Sequence, residues 1–123
     1  MKRIVTIQDI SCFGQCSLTV ALPILSACGV ETVILPSAVL STHTGGFKNF
    51  TFRDLTDDIP KIVSHWKSIN LDFDVIYTGY LGSFEQLDVI KSFADDFKTD
   101  KNIILVDPAM GDNGKLYTGF NEE

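Results

Sequence analysis

The apolar positions of this chain alternate between short continuous runs and longer stripes with helical spacing. Continuous runs at residues 3–8, 32–35 and 75–78 are rich in Ile, Val and Thr, and such runs are typical of β-strands. A fourth run ends at the carboxylate of Asp107, which Pro108 follows at once. Because this run is apolar throughout, it predicts a strand that is buried on both faces in the middle of a parallel sheet.

The segments between these runs carry helical patterns. Residues 15–28 predict an apolar helix that is mostly buried, is kinked by Pro23 and ends at Gly29. A second helix is predicted after Thr56 as N-cap, with apolar residues at helical spacing: Ile59, Ile62, Val63, Trp66 and Ile69. Ser83 and Gln86 form a capping box for a third helix, residues 83–98. Its residues expected to face the sheet are Leu87, Ile90, Ala94 and Phe97.

Strands that alternate with helices predict an α/β domain of three layers, in which a mostly parallel sheet is flanked by helices and the crossovers are right-handed. The last residues, 120–123, have an N-cap residue at Asn121 followed by acids, which predicts the first turn of another helix. We therefore expect the chain to be a truncated part of a larger architecture.

Residues 41–52 have neither helical nor strand spacing. They contain Gly45, Gly46 and the aromatic Phe47, together with hydroxyl side chains and a histidine. Long irregular segments in compact domains are usually functional or disordered, so we predict a mobile flap here. The alternative is an ordinary β-hairpin around the two glycines.

Composition limits the classes of protein to consider. The chain has 123 residues, of which 45% are hydrophobic, and this predicts one globular domain. A net charge of −6 opposes binding to nucleic acid or to an anionic membrane. No apolar run approaches the ~20 residues of a membrane span, and Met1 leads straight into a strand rather than a signal peptide. These two features predict a soluble cytoplasmic protein. The odd number of cysteines, with no CxxC pair, fits reduced thiols in a reducing compartment.

The side chains that follow the strands define a candidate ligand site, because the carboxyl ends of parallel strands meet at one edge of a sheet. Aromatic and thioether groups there can sandwich a flat ring, and polar groups can bind its rim. A carboxylate that faces a ring nitrogen favours the protonated ring. The candidate substrate-binding residues are Asp9, Phe13, His43, Thr44, Tyr80 and Met110.

Two further carboxylates, Asp107 and Asp112, bracket the loop after the fourth strand. Their position favours a role toward a ligand rather than a role in the core. The alternative is structural: Asp107 caps the turn, and Asp112 with Asn113 and Gly114 makes only a tight turn.

Short motifs in the same order along nearly the whole chain resemble those of the pyridoxal/pyridoxamine kinases of the ribokinase-like superfamily. They are Ile7-Gln8 with Phe13-Gly14, the Pro23 helix, STHTG at 41–45, TGYLG at 78–82 and DPAMGD at 107–112. The resemblance implies ATP-dependent phosphorylation of the hydroxymethyl group of a vitamin B6 form (pyridoxal, pyridoxine or pyridoxamine). It also implies Mg²⁺, often K⁺, and a homodimer.

The resemblance carries over to single positions. It implies that the pyridine ring lies near Asp9, His43, Thr44 and Tyr80. It assigns the flap to Gly45, Gly46 and Phe47, and the phosphate and cation side, with its metal candidates, to Asp107 and Asp112. Many family members have Ser where this chain has Asp9, so the related hydroxymethylpyrimidine kinases of the same fold are an alternative.

Some parts of the family pattern are absent from the sequence. The family has its glycine-rich anion hole, a catalytic Asp in a Gly-x-Gly-Asp pattern and most adenine contacts in its second half, and none of these motifs occurs here. No GxxxxGK[ST] motif replaces them. The resemblance thus implies the N-terminal, substrate-side part of one kinase domain (residues 1–123) with no catalytic residue of its own. The alternative function is a non-catalytic module that binds a vitamer.

Overall fold

The computed structural model describes residues 1–117 and 120–121. These residues form an α/β fold, as the sequence pattern predicts. The elements in chain order are β1 (Arg3–Ser11), α1 (Leu18–Ala27), β2 (Glu31–Leu40), β3 (Phe52–Asp54), α2 (Ile59–Ser68), β4 (Val75–Thr78), α3 (Phe84–Phe97), β5 (Ile103–Val106), β6 (Gly111–Asp112) and β7 (Lys115–Leu116).

The main sheet has the strand order β3-β2-β1-β4-β5, so the first strand lies at its centre. β1 pairs in parallel with β2 and β4, and β4 pairs in parallel with β5. β3 is antiparallel to β2, and β6 and β7 form a separate antiparallel hairpin. The sheet is therefore mostly parallel, as predicted, with one antiparallel edge strand, β3, which agrees with the alternative of a hairpin around the two glycines.

The hydrophobic core lies between the sheet and the pair α2 and α3. Val5 and Ile7 of β1 alternate with residues of the opposite face, as strand geometry requires, and pack with Ile76 of β4 against the two helices. Aromatic rings fill the space between the helices: Phe93 lies 4.8 Å from Phe97 and 6.0 Å from Phe73, measured between ring centroids. α1 covers the other face of the sheet, beside Gln8 and Tyr77.

Two helix predictions need correction. α1 begins at Leu18 rather than at residue 15, and Leu18 is its one buried residue, so the prediction of a mostly buried helix is wrong. α2 begins at Ile59, and Asp58 rather than Thr56 is its N-cap residue. Thr56 is buried before the helix, where its hydroxyl accepts a hydrogen bond from Gln86 instead. Ile69 and Leu87, predicted to face the core, are exposed.

Ser83 caps α3 as predicted. Its hydroxyl oxygen accepts a hydrogen bond of 3.1 Å from the backbone N–H of Gln86, and α3 begins at the next residue after Ser83. The capping box is only half formed, because the side chain of Gln86 does not return to the N–H of Ser83. It accepts from the N–H of Gly82 and donates to two groups outside the helix.

β5 forms, but it is not buried in the middle of the sheet. It is an edge strand, and all four of its residues are exposed, with Ile103 at 63% and Val106 at 61%. α1 packs on β1 and β2, and α2 and α3 pack over the core around Val5 and Ile76, so the apolar side chains of β5 lie beyond the helices on both faces. The prediction of a strand is therefore confirmed, and the prediction of its burial is wrong. Among the described residues, no helix covers either face of β5.

β1 and β2 are both longer than predicted. β2 continues through Pro36, which has no N–H to donate and lies opposite Gln8. The pairing then shifts by one residue, because Ile10 pairs with Val39, so β2 carries a bulge opposite Asp9. Asp9, predicted in the turn after β1, therefore lies within the strand. Bulges are over-represented beside active sites, where they redirect side chains.

A network of ion pairs lies where the parallel strands begin, at the amino-terminal edge of the sheet. Asp74 accepts hydrogen bonds from Lys2 Nζ (2.7 Å) and from the backbone N–H of Arg3 (2.8 Å). The guanidinium of Arg3 pairs with Glu31 and Asp72, both at 2.8 Å. These ion pairs join the starts of β1, β2 and β4 at the edge opposite the candidate site.

Candidate functional site at the carboxyl ends of the strands

β1, β2, β4 and β5 run in parallel, so their carboxyl ends meet at one edge of the sheet. The loops that leave this edge are tied to neighbouring strands by backbone hydrogen bonds. Gly79 N–H donates to the carbonyl of Ile7 (3.1 Å), and Asp107 N–H donates to that of Thr78 (2.9 Å). The edge predicted to carry the site therefore exists, and the candidate residues lie on it.

Asp9 is the buried carboxylate of this edge, with 8% of its surface exposed. Its described hydrogen-bond partner is the hydroxyl of Ser11, at 3.4 Å from Oδ2, which is long for a bond between oxygens. No cation forms an ion pair with Asp9 among the described residues. The carboxylate is thus mostly buried, with one long hydrogen bond and no cationic partner among the described residues, and such a group is well suited to a charged ligand.

The loop after β1 contacts the flap. The N–H of His43 donates to the carbonyl of Phe13 (2.7 Å), and the ring of Phe13 meets that of Phe47 edge-to-face at 5.7 Å. Gly14, with φ of +73°, allows this approach: a Cβ there would lie 3.1 Å from the Cβ of His43 and 3.3 Å from the Phe47 ring. Phe13, which is 65% exposed, therefore packs on the flap and not on Tyr80.

The ring of His43 is oriented by its own loop. Its Nδ1 accepts a 2.8 Å hydrogen bond from the N–H of Gly45, which leaves Nε2 as the protonated nitrogen of the neutral ring. Gly45 must lack a side chain here, because a Cβ would lie 2.7 Å from the His43 ring. Thr44 and Gly46 are exposed at the tip. The arrangement presents an imidazole N–H donor beside an open loop.

The flap has features of both predicted alternatives. Ser41 and Thr51 are joined by a backbone bond of 3.1 Å, and Leu40 pairs with Phe52 in the antiparallel β2–β3 ladder. The segment is therefore closed at its base like a hairpin. Between these ends it is irregular, and Phe47 and Phe50 are exposed at 39% and 37%.

Tyr80 lies in the loop after β4. Burial, followed by the charge of Asp9, raises the pKa of its phenol above the ordinary value, so the phenol and the Asp9 carboxylate share one environment. The Tyr80 ring meets Tyr117 and Phe120 edge-to-face at 6.1 and 5.7 Å. Tyr80 thus forms an aromatic wall next to the buried carboxylate, with two rings that sequence reasoning missed.

The loop after β5 carries the remaining candidates. Asp107 and Asp112 are both exposed, and Asp112 accepts a 2.8 Å hydrogen bond from the hydroxyl of Tyr117, which raises the pKa of that phenol. Asn113 and Gly114, with φ of 51° and 73°, form the tight turn between β6 and β7 that was the alternative interpretation. Met110 is exposed, and its carbonyl accepts from the N–H of Tyr117.

Tyr117 had a weak signal in the sequence. Asn-Gly is a strongly preferred sequence for a two-residue hairpin turn. If Asn113 and Gly114 form such a turn, Asp112 pairs with Lys115 and Gly111 with Leu116, so the next residue, Tyr117, lies beside Met110. The side chain of Gln86, in contrast, could be predicted as a capping residue but not as a link to distant segments.

The described residues, 1–117 and 120–121, contain no group of three or more His, Cys, Asp or Glu side chains arranged to hold a metal ion. Two cavities lie elsewhere in the fold: one of 280 Å³ between α2 and α3, and one of 390 Å³ between α1 and the sheet. Neither is lined by a candidate substrate-binding residue. Over the same residues, no helix has the length and apolar character needed to cross a bilayer.

Comparisons with known proteins identify similar chains. A protein from Bacteroides thetaiotaomicron, named as a candidate phosphomethylpyrimidine kinase and crystallised with pyridoxal, is 48% identical with a TM-score of 0.92, over 98% of this chain and 42% of its own. Pyridoxal kinase from Lactobacillus plantarum is 34% identical with a TM-score of 0.89, over 98% of this chain and 43% of its own. No family model matches the chain.

Proteins of lower sequence identity include further pyridoxal kinases. A Saccharomyces cerevisiae protein named as a candidate pyridoxal kinase is 26% identical, over 94% of this chain and 38% of its own length. Pyridoxal kinase from Leishmania donovani, in complex with ADP and pyridoxamine, is 19% identical and shares the fold, with a TM-score of 0.87. In sequence and in fold, this chain therefore resembles the pyridoxal kinases and a phosphomethylpyrimidine kinase of the ribokinase-like superfamily, and it spans about two fifths of their length.

Proposed function

We propose that this chain is the substrate-side part of an ATP-dependent kinase that phosphorylates the hydroxymethyl group of a vitamin B6 form. The observation that carries the proposal is Asp9: a buried carboxylate without a cationic partner in the described residues, beside the Tyr80 phenol at the carboxyl edge of the sheet. A pyridinium nitrogen would supply the missing positive charge and a hydrogen-bond donor. The 48% identical protein crystallised with pyridoxal supports this choice of ligand.

The other candidate residues take roles that suit their surroundings. Tyr80 offers an aromatic surface to the ring, and the His43 Nε2–H offers a donor to its polar rim. The flap, which includes Thr44, Gly45, Gly46 and Phe47, would close over the bound ring and exclude water. In this proposal Phe13 supports the flap through Phe47, and Met110 adds apolar surface from the loop after β5.

Asp107 and Asp112 are proposed to lie on the phosphate and cation side. Two carboxylates are too few for a cage made only of protein ligands, but Mg²⁺ usually takes one or two carboxylates together with substrate phosphates and waters. We propose that Asp107 and Asp112 would hold an Mg²⁺ ion that arrives with ATP, and when bound the ion would neutralise phosphate charge. The hydroxyl of Tyr117 would hold the Asp112 carboxylate in place.

The complete protein that carries this chain provides the test. Purified protein would be assayed with ATP and, separately, with pyridoxal, pyridoxine, pyridoxamine and hydroxymethylpyrimidine. We expect phosphorylation of at least one B6 form with a kcat/KM above that for the pyrimidine. Tight binding of a vitamer without turnover would instead support a non-catalytic binding module.

A second candidate is a hydroxymethylpyrimidine kinase. It is favoured by the name of the 48% identical relative, a candidate phosphomethylpyrimidine kinase. A higher kcat/KM for the pyrimidine in the same assay would establish it.

We further propose a homodimer in the cytoplasm. The three cysteines are free, as reduced thiols would be, and light scattering of the purified protein would give the oligomeric state.

A further inference from the structure

Gln86 is a buried polar residue in the first turn of α3, with 3% of its surface exposed. Its carboxamide makes three hydrogen bonds to three separate segments. Nε2 donates to the carbonyl of Ser37 and to the hydroxyl of Thr56, both at 3.1 Å, and Oε1 accepts from the N–H of Gly82 at 2.9 Å. Both N–H donors of this side chain are therefore used.

One of these partners belongs to the loop that carries Tyr80. At its start, Gly79 donates to the carbonyl of Ile7 and lies against the Gln8 side chain so closely that a Cβ would be 2.8 Å from it. At its end, Gly82 donates to Gln86. The position of Tyr80 is thus set by two anchors, of which the second is a single side chain.

The other two partners belong to the base of the flap. The carbonyl of Ser37 in β2 accepts from Gln86 and also from the N–H of Leu55, at 3.0 Å. Thr56 follows the return strand β3, and its N–H donates to the carboxylate of Asp54 at 2.7 Å. Gln86 therefore joins the point where the flap re-enters the fold to the loop that carries Tyr80.

We propose that Gln86 is a positioning residue of the substrate site, which fixes the loop that carries Tyr80 relative to the base of the flap. It acts through these segments and does not touch the substrate. The inference about geometry stands on the hydrogen bonds alone, and its effect on vitamer turnover rests on the proposed function.

The competing explanation is that Gln86 only stabilises the start of α3. Ser83→Ala is the matched control, because it removes the N-cap bond of the same helix turn and leaves the three carboxamide bonds intact. Gln86→Leu keeps a side chain of similar size and removes all three. Both variants would be made in the complete protein and compared by hydrogen–deuterium exchange at the amides of Gly82 and Leu55.

For Gln86→Leu we expect exchange to become about tenfold faster at both Gly82 and Leu55. Gly82 loses its acceptor, and the Ser37 carbonyl that accepts from Leu55 loses the second hydrogen bond that holds it in place. For Ser83→Ala we expect faster exchange only in the first turn of α3. The proposal is overturned if Gln86→Leu leaves Gly82 and Leu55 unchanged, or if Ser83→Ala loosens both to the same extent.

Two milder variants keep the test decisive if Gln86→Leu does not fold. Thr56→Val removes one bond and should speed exchange at Leu55 more than at Gly82. Gln86→Glu keeps an acceptor for Gly82 but faces the Ser37 carbonyl with a carboxylate, so it should also loosen Leu55 first. Unchanged exchange at Leu55 in both variants would refute the link to the flap.

Kinetics then test the consequence for the site. In an active complete enzyme, Gln86→Leu should raise the vitamer KM about tenfold, by misplacing Tyr80, and leave the ATP KM within about twofold. An equal rise in both constants would overturn the positioning role. If the protein phosphorylates no vitamer, the proposed function fails, while the exchange results at Gly82 and Leu55 still decide the geometric inference.

Discussion

Replacing the buried carboxylate of β1 is the sharpest test of the proposed substrate site. If Asp9 faces the ring nitrogen as proposed, Asp9→Ala removes a charge-assisted hydrogen bond to the ring. Bonds to charged groups contribute about 1.5–3 kcal/mol, which corresponds to a loss of about 10-fold to 150-fold in vitamer kcat/KM. Asp9→Asn keeps the shape and one acceptor, so a smaller loss is expected. In the proposed site ATP lies on the side of Asp107 and Asp112, away from Asp9, so its KM should change less than about twofold.

The stability of the same variant separates a functional carboxylate from a structural one. Asp9 is 8% exposed, and its described partner is Ser11 at the long distance of 3.4 Å. Asp9→Ala therefore removes one long hydrogen bond and no ion pair among the described residues, so it should leave the free energy of unfolding unchanged or increase it. A group kept at the expense of stability is expected where a ligand needs it.

The assay is steady-state kinetics of the complete enzyme with pyridoxal and ATP varied in turn, together with urea unfolding. Asp88→Ala, which removes an exposed carboxylate on α3, is the control for the change in net charge. The reasoning is refuted if the ATP KM rises more than the vitamer KM. It is also refuted if Asp9→Ala lowers the free energy of unfolding by several kcal/mol, since the carboxylate would then hold the fold together.

Four further outcomes are expected. Hydrogen exchange of the unliganded protein should be fastest, among internal segments, at residues 42–49, and slow exchange there would contradict a flap. The 123-residue chain alone should not phosphorylate pyridoxal but should regain activity when mixed with the rest of its protein; near-normal turnover alone would show that no anion hole or base is missing. Phe93→Ala should cost about 3–5 kcal/mol in urea unfolding, against less than about 1 kcal/mol for the exposed Leu87→Ala. The hydrogen bond from Lys2 lowers the pKa of Asp74 below its ordinary 3.8, so the stability it adds is present above 3.8 and is lost as pH falls through the lowered pKa. Asp74→Asn should therefore flatten the acid limb of the stability curve, and an unchanged limb would contradict the pairing.

The sequence was informative where one local pattern decided the structure. β4 matches its predicted residues, and Ser83 caps α3, because a β-rich run and an N-cap residue act within a few positions. The edge that carries the candidate site was equally predictable, since parallel strands must bring their carboxyl ends together.

Long-range contacts account for most of what was missed. The sequence near Thr56 does not indicate that the Thr56 hydroxyl binds the distant Gln86 side chain instead of capping α2. The bulge opposite Asp9 depends on how two strands slide past each other, and Pro36 alone does not reveal it. The apolar run of β5 did not predict its exposure. An apolar sequence shows that a strand is suited to packing against other apolar residues, but it does not show whether such residues cover it in the fold.

The central place of β1 has a consequence for synthesis on the ribosome. Its partners come late: Arg3 bonds to Glu31, 28 residues along the chain, and to Asp74, 71 residues along. At typical elongation rates the second partner emerges roughly 4 to 14 s after the first strand. During that time one edge of the strand that carries Asp9 has no neighbour, and its pairing with β4 requires the closure of a long loop. We expect the nascent chain to depend on chaperones most strongly before Val75 emerges from the exit tunnel.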